Sequence, residues 1–123
     1  MTLVKKWLPA VLILAFLFWS SSTPELKISQ DVSVDFPARK LVHFVVYGLL
    51  CASFYRATGS FVLSIGLSGL YGVFDEFHQV FTPLRNGKMS DIAIDIFGAL
   101  VSALVIWKLY PVLPKKLKNW LKP

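Results

Sequence analysis

The sequence predicts an all-α fold: an integral membrane bundle of four transmembrane helices closed by a basic amphipathic tail. Three observations predict it. The chain is 55% hydrophobic over 123 residues, so a soluble fold would need four wholly buried helices with almost no chain left to cover them. Two stretches of 18 residues, Trp7 to Pro24 and Ala57 to Phe74, carry no charge, close to the roughly 20 apolar residues a helix needs to cross hydrocarbon. Two more segments reach that length if polar ends are allowed, and the charges lie in the connections between segments.

The first helix is expected over residues 7–23, bracketed by Trp7 and Trp19, which suit the two interfaces of a lasting span. Lys5-Lys6, the apolar run and Ser20-Ser21-Ser22 also resemble a cleavable signal peptide; a retained helix is the preferred reading. Residues 20–37 are polar, contain Pro24 and Pro37, and are expected to lie along the membrane surface. The second helix, 37–56, joins the third, 60–80, through a short connection containing Gly59, which implies a tight antiparallel pair. The fourth helix, 90–110, has Ser90 as its N-cap. In the tail, 113–123, Leu113, Leu117, Trp120 and Leu121 share one face and the lysines lie away from it, a pattern suited to an anionic leaflet. Small residues recur every four positions at Ser64, Ser68 and Gly72, and at Gly98 and Ser102, where backbones can approach closely in lipid. No repeat interrupts the pattern, so residues 1–123 are read as one domain.

Orientation follows from the cations. With a cytoplasmic N-terminus and four crossings, the inner side holds Lys5, Lys6, Arg56, Lys108, Lys115, Lys116, Lys118 and Lys122 and not one acid. All seven acids fall outside. Lys and Arg are retained on the cytoplasmic side, so both termini are expected there. The net charge of +6 flanks apolar segments rather than forming a stripe with interleaved aromatics, so no nucleic acid is expected as a partner. The single cysteine, Cys51, cannot form an intramolecular disulfide and reads as a small core residue.

The chemistry concentrates at the outward ends of the last three helices. Lys40, His43 and Tyr47 share a face of the second helix by their i, i+3, i+7 spacing. Asp75 and Glu76 stand within a turn of Gln79, and Asp75 is also within reach of His78. Asp91, Asp95 and Gly98 form one stripe on the fourth helix, and Arg85 lies in the connection before it. Ionisable groups at membrane depth are functional-site candidates by default. Asp75, Glu76 and His43 are the candidates for acid–base catalysis, since paired carboxylates split their proton affinities. A metal held by His43, His78 and nearby carboxylates is conceivable, but the sequence has no HExxH or CxxC spacing and no Gly-rich phosphate loop. Neither metal nor cofactor is expected. A structural reading competes with all of these: cations and carboxylates from three helices can form an ion-pair network that only fixes helix register.

The run Lys40-x-x-His43-Phe44-x-x-Tyr47, then Asp75-Glu76-x-x-Gln79-x-Phe81, then Arg85, then Asp91-x-x-x-Asp95-x-x-Gly98 resembles the VanZ family from Lys40 to about Tyr110. Arg39 stands where the family often has Asp, and Asp95 where it often has Asn. The resemblance implies a small multi-pass protein of the bacterial cytoplasmic membrane. The family's founding member is associated with resistance to the glycopeptide teicoplanin, and the resemblance implies no particular reaction. Together these readings lead to an outward site binding an anionic or lipid-linked envelope molecule, such as a cell-wall precursor or a glycopeptide-related ligand. Arg85 and Lys40 would hold the anion. The alternatives are an intramembrane enzyme acting on an envelope lipid, a small transporter using Asp95, and a scaffold.

Overall fold

The computed structural model describes residues 2–22, 31–81 and 89–122. Five α-helices and a 3-10 turn account for them: α1 (Leu3–Ser22), α2 (Val32–Thr58), α3 (Phe61–Val80), α4 (Met89–Leu109), the turn Tyr110–Val112, and α5 (Lys115–Leu121). No strand occurs among the described residues. Among the described residues three helices are long and apolar enough to cross a membrane, over Leu3–Ser20, Pro37–Thr58 and Ile92–Val112. The 20-residue α3 is less apolar, because Asp75, Glu76, His78 and Gln79 fill its last turns.

Helix boundaries follow local chemistry. The second helix starts earlier than the sequence pattern indicates, at Val32 rather than residue 37. The Asp31 carboxylate caps it, accepting from the Ser33 amide at 3.0 Å and the Ser33 hydroxyl at 2.7 Å, which satisfies N–H groups that have no intrahelical partner. Pro37 is thereby carried inside the helix. Residues 23–30, the middle of the connection expected along the membrane surface, lie outside the described residues. α2 ends at Gly59, which takes the left-handed conformation (φ 71°) that side chains resist, and its amide reaches the Tyr55 carbonyl at 2.8 Å. Ser60 then caps α3 by accepting from the Leu63 amide. Only Gly59 and Ser60 separate the two helices, giving the tight α2–α3 pair that Gly59 implied.

Packing is inverted relative to a water-soluble protein. Leu12, Leu70, Phe77 and Trp107 are exposed, while Ser64, Ser68, Asp75 and Asp95 are at most 1% exposed. Water would penalise both choices; hydrocarbon around the bundle rewards both. The most extensive pairing is α2 with α4. A Cβ on Gly98 would lie 2.6 Å from the Phe44 carbonyl oxygen, so only glycine permits that approach, and the Ser102 hydroxyl donates to the Gly48 carbonyl across the same seam at 2.7 Å. Cys51 is buried there beside Ala99 and Ala103. α1 packs Ala10 and Leu17 against Tyr47, Leu50 and Phe54 of α2.

The tail departs from the sequence expectation. α5 is folded against the bundle, not merely laid flat, and Leu121 is buried. Arg56 explains the docking: its guanidinium donates to the Trp120 carbonyl and stacks 5.0 Å above the Trp120 ring. It also donates to the Lys5 carbonyl at 3.4 Å. Pro9 lacks the N–H that this carbonyl would meet in a regular helix, and the guanidinium supplies a donor in its place. The start of α1, the end of α2 and α5 therefore meet at one end of the bundle.

Candidate functional site

At the opposite end, α2 contributes Lys40, His43 and Tyr47, α3 contributes Tyr71, Asp75, Glu76 and Gln79, and α4 contributes Asp95. His43 Nε2 lies in direct contact with Asp95 Oδ1. The imidazole stacks on Tyr47, ring centres 4.8 Å apart at 22°, so the i, i+4 spacing fixes the ring while α4 fixes its charge partner. Gln79 donates to Asp75 Oδ2 at 3.2 Å, one turn back on α3.

Asp95 is reached because two glycines give way. The Gly98 approach draws α4 against α2, and Gly72 leaves room for the Asp95 carboxylate; a Cβ there would stand 2.8 Å from Oδ2. His43, Asp75 and Lys40 are all within electrostatic reach of Asp95. Tyr47 is the hub of the cluster: it is fully buried, and Asp95, Asp75, Tyr71 and Glu76 surround its hydroxyl electrostatically. That hydroxyl, the Tyr71 hydroxyl and Asp95 Oδ2 are buried without a hydrogen-bond partner among the described residues. A buried polar atom in that state costs about 1–3 kcal/mol, so the described residues leave hydrogen-bonding capacity unused at this end of the bundle.

Of the residues singled out in the sequence, Lys40, His43, Tyr47, Asp75, Glu76, Gln79 and Asp95 come together. Arg85 lies outside the described residues. Asp91 sits in the first turn of α4, and its side chain lies outside them also. His78 faces elsewhere: it stacks on Phe18 at 4.7 Å, and its Nε2 shares a hydrogen bond with the Ser22 hydroxyl at 2.9 Å. It thus ties α3 to α1 rather than joining His43, and among the described residues no three His, Cys, Asp or Glu side chains converge as metal ligands would. Tyr71 escaped the sequence reading, although it precedes Asp75 by four residues and Gln79 by eight and so shares their face.

The arrangement can accept several hydrogen bonds through three buried carboxylates, donate or accept through two hydroxyls, and move a proton at a carboxylate-held imidazole. Residues 6–111 match the family model described as VanZ/LLP1. No curated protein and no solved structure matches the chain.

Proposed function

Because the chain belongs to the VanZ/LLP1 family, we propose that it acts in the bacterial cytoplasmic membrane as a binder of an anionic, lipid-linked envelope molecule. The chain crosses four times with both termini cytoplasmic, and the polar cluster opens outward. The contacts of Arg56 with Lys5 and Trp120 support this topology, because they bring the start of α1, the end of α2 and the tail to one end; α3 must then run the length of the bundle. The cations of that end favour the cytoplasmic side.

One observation carries the ligand reading: the buried Tyr47 hydroxyl has no hydrogen-bond partner among the described residues, although charged groups surround it. A network serving only helix register would gain by pairing or deleting that group. A ligand rich in hydroxyl or amide donors, as a sugar–peptide head group is, satisfies Tyr47, Tyr71 and the carboxylates together. Lys40, with Arg85, holds the phosphate of the lipid link, and the hydrocarbon of the ligand remains in the bilayer.

Titration of the chain in lipid nanodiscs with a polyprenyl-diphosphate-linked cell-wall precursor tests this. Tyr47→Phe and Lys40→Gln each weaken binding by roughly tenfold or more, the value of a hydrogen bond to a charged partner; unchanged affinity in both ends the reading. In a teicoplanin-sensitive host, protection by the chain that disappears with Glu76→Gln at equal membrane level would link the same cluster to glycopeptide resistance.

The His43–Asp95 pair favours a second reading, an enzyme that uses acid–base chemistry on the bound head group. Glu76→Gln separates the two: an enzyme keeps its ligand and loses turnover.

A further inference from the structure

At the basic end of the bundle, where α5 packs on α2, residues of α1, α2, α4 and α5 line a half-open cavity of about 470 Å³. Its wall is hydrocarbon, supplied by Leu12 and Ile13 of α1, Leu49 and Ala52 of α2, Val105 of α4 and Leu117 of α5. Ser53 also borders it, but the Ser53 hydroxyl already donates to the Leu49 carbonyl at 2.9 Å. A polar ligand entering would leave water and find nothing to bond. The volume lies in the roughly 300–1,000 Å³ range of sites that hold one small molecule, enough for an alkyl chain and too little for a protein segment.

Charge around the cavity is of one sign. Lys115 and Lys116 start α5, Lys5 and Lys6 lie in the first turn of α1, and Lys122 follows Leu121; every described acid lies at the other end. Arg56 holds α5 in place as the fourth wall. Lipid tails are as apolar as leucine, so an apolar wall by itself gives no preference among lipids. A hydrocarbon slot beside unopposed lysines does, because it fixes the tail where the cations meet the head group.

We propose that this cavity is a binding site for one anionic phospholipid, its acyl chain lying between α1, α2 and α4 under α5 and its phosphate among Lys5, Lys115 and Lys116. The proposal rests on the membrane topology given above and not on the ligand of the polar cluster. The bound lipid completes the core that the short tail leaves open, and it makes the docking of α5 dependent on membrane composition.

The test uses the full chain in nanodiscs of equal phosphatidylglycerol and phosphatidylcholine with identical acyl chains, released into mild detergent for native mass spectrometry. One phosphatidylglycerol per chain is retained in preference to phosphatidylcholine. Lys115→Gln and Lys116→Gln each reduce that preference about fivefold, the effect of one cation near an anionic surface. Ala52→Trp fills the cavity and releases the lipid; Leu117→Trp fills it from the tail should the first variant not fold. Lys40→Gln, at the polar cluster, keeps the lipid. Equal retention of the two lipids, retention by both filled variants, or paired chains with no lipid overturns the site. A chain that fails to insert overturns the topology instead, so the two failures are told apart.

Discussion

Tyr47, Gly72 and Gly98 are the residues on which the polar cluster turns. The Tyr47 hydroxyl is buried without a partner among the described residues, so Tyr47→Phe removes a desolvated group and no hydrogen bond to any of them. Thermal unfolding in detergent should show the variant at least as stable as the parent, by up to about 1 kcal/mol, while ligand binding falls. A loss of stability instead would mean that the hydroxyl serves the fold. The two glycines differ in what an added methyl meets. Gly98→Ala drives Cβ against the Phe44 carbonyl of the backbone, which cannot move without parting α2 from α4; a loss of about 1–3 kcal/mol is expected. Gly72→Ala meets the Asp95 side chain instead. That carboxylate can rotate away, so the expected result is a smaller loss of stability with a broken His43–Asp95 pair, read as a change in the His43 ring resonances.

Among the elements, α2 and α5 each depend on one charged side chain. The hydrogen bonds from the Ser33 hydroxyl and then from its amide favour ionised Asp31 and hold its carboxyl below the ordinary value of 3.8. A carboxylate lowered on folding stabilises fully above its unfolded value and loses that contribution as pH falls through the lowered one. The first turn of α2 should therefore stay protected from amide exchange down to the ordinary carboxylate range and fray only below it. Asp31→Asn, a cap of similar strength, should remove the pH dependence and keep the helix start. At the other end, Arg56→Ala takes away the donor to Trp120 and the ring contact together. The docking of α5 is expected to weaken by roughly 2 kcal/mol, seen as faster amide exchange over residues 118–122. Arg56→Lys should recover only part of it, because an ammonium lacks the planar stacking face.

For the whole molecule the question is the path of α3, whose last turns are polar although its length matches its neighbours. With Cys51→Ala as background, a cysteine at Phe81, which is exposed at the end of α3, should react with an impermeant thiol reagent on intact cells. A cysteine at Lys116 should react only after permeabilisation. Three crossings, with α3 remaining on the cytoplasmic side, would reverse both results, since Phe81 would stay inside and α4 would carry the tail out. The polar residues of α3 need no exposure to water to be tolerated there: Asp75, Glu76 and Gln79 are buried in the bundle, and Gln79 donates to Asp75 within the helix.

The sequence by itself determined the helices, the Gly59 turn, the sorting of charge to the two ends, and the face shared by Lys40, His43 and Tyr47. All of these depend on local spacing, and the 3.6-residue period of a helix converts spacing into a face without knowledge of any neighbour. It also carried the family, because the Asp75-Glu76-x-x-Gln79 run and the Asp95 stripe are themselves spacings. Tertiary structure alone decided which faces meet. Both histidines lie toward the same end of the bundle, yet His43 meets Asp95 while His78 turns to Ser22 and Phe18; the choice depends on the rotation of each helix about its axis, which packing sets. Early entry into α2 at Asp31 was hidden behind Pro37, whose breaking tendency a side-chain cap outweighs. The folded tail was hidden for a third reason. A basic amphipathic pattern fits a bilayer surface and a protein groove equally well, and only Arg56, brought there by the end of α2, selects the groove.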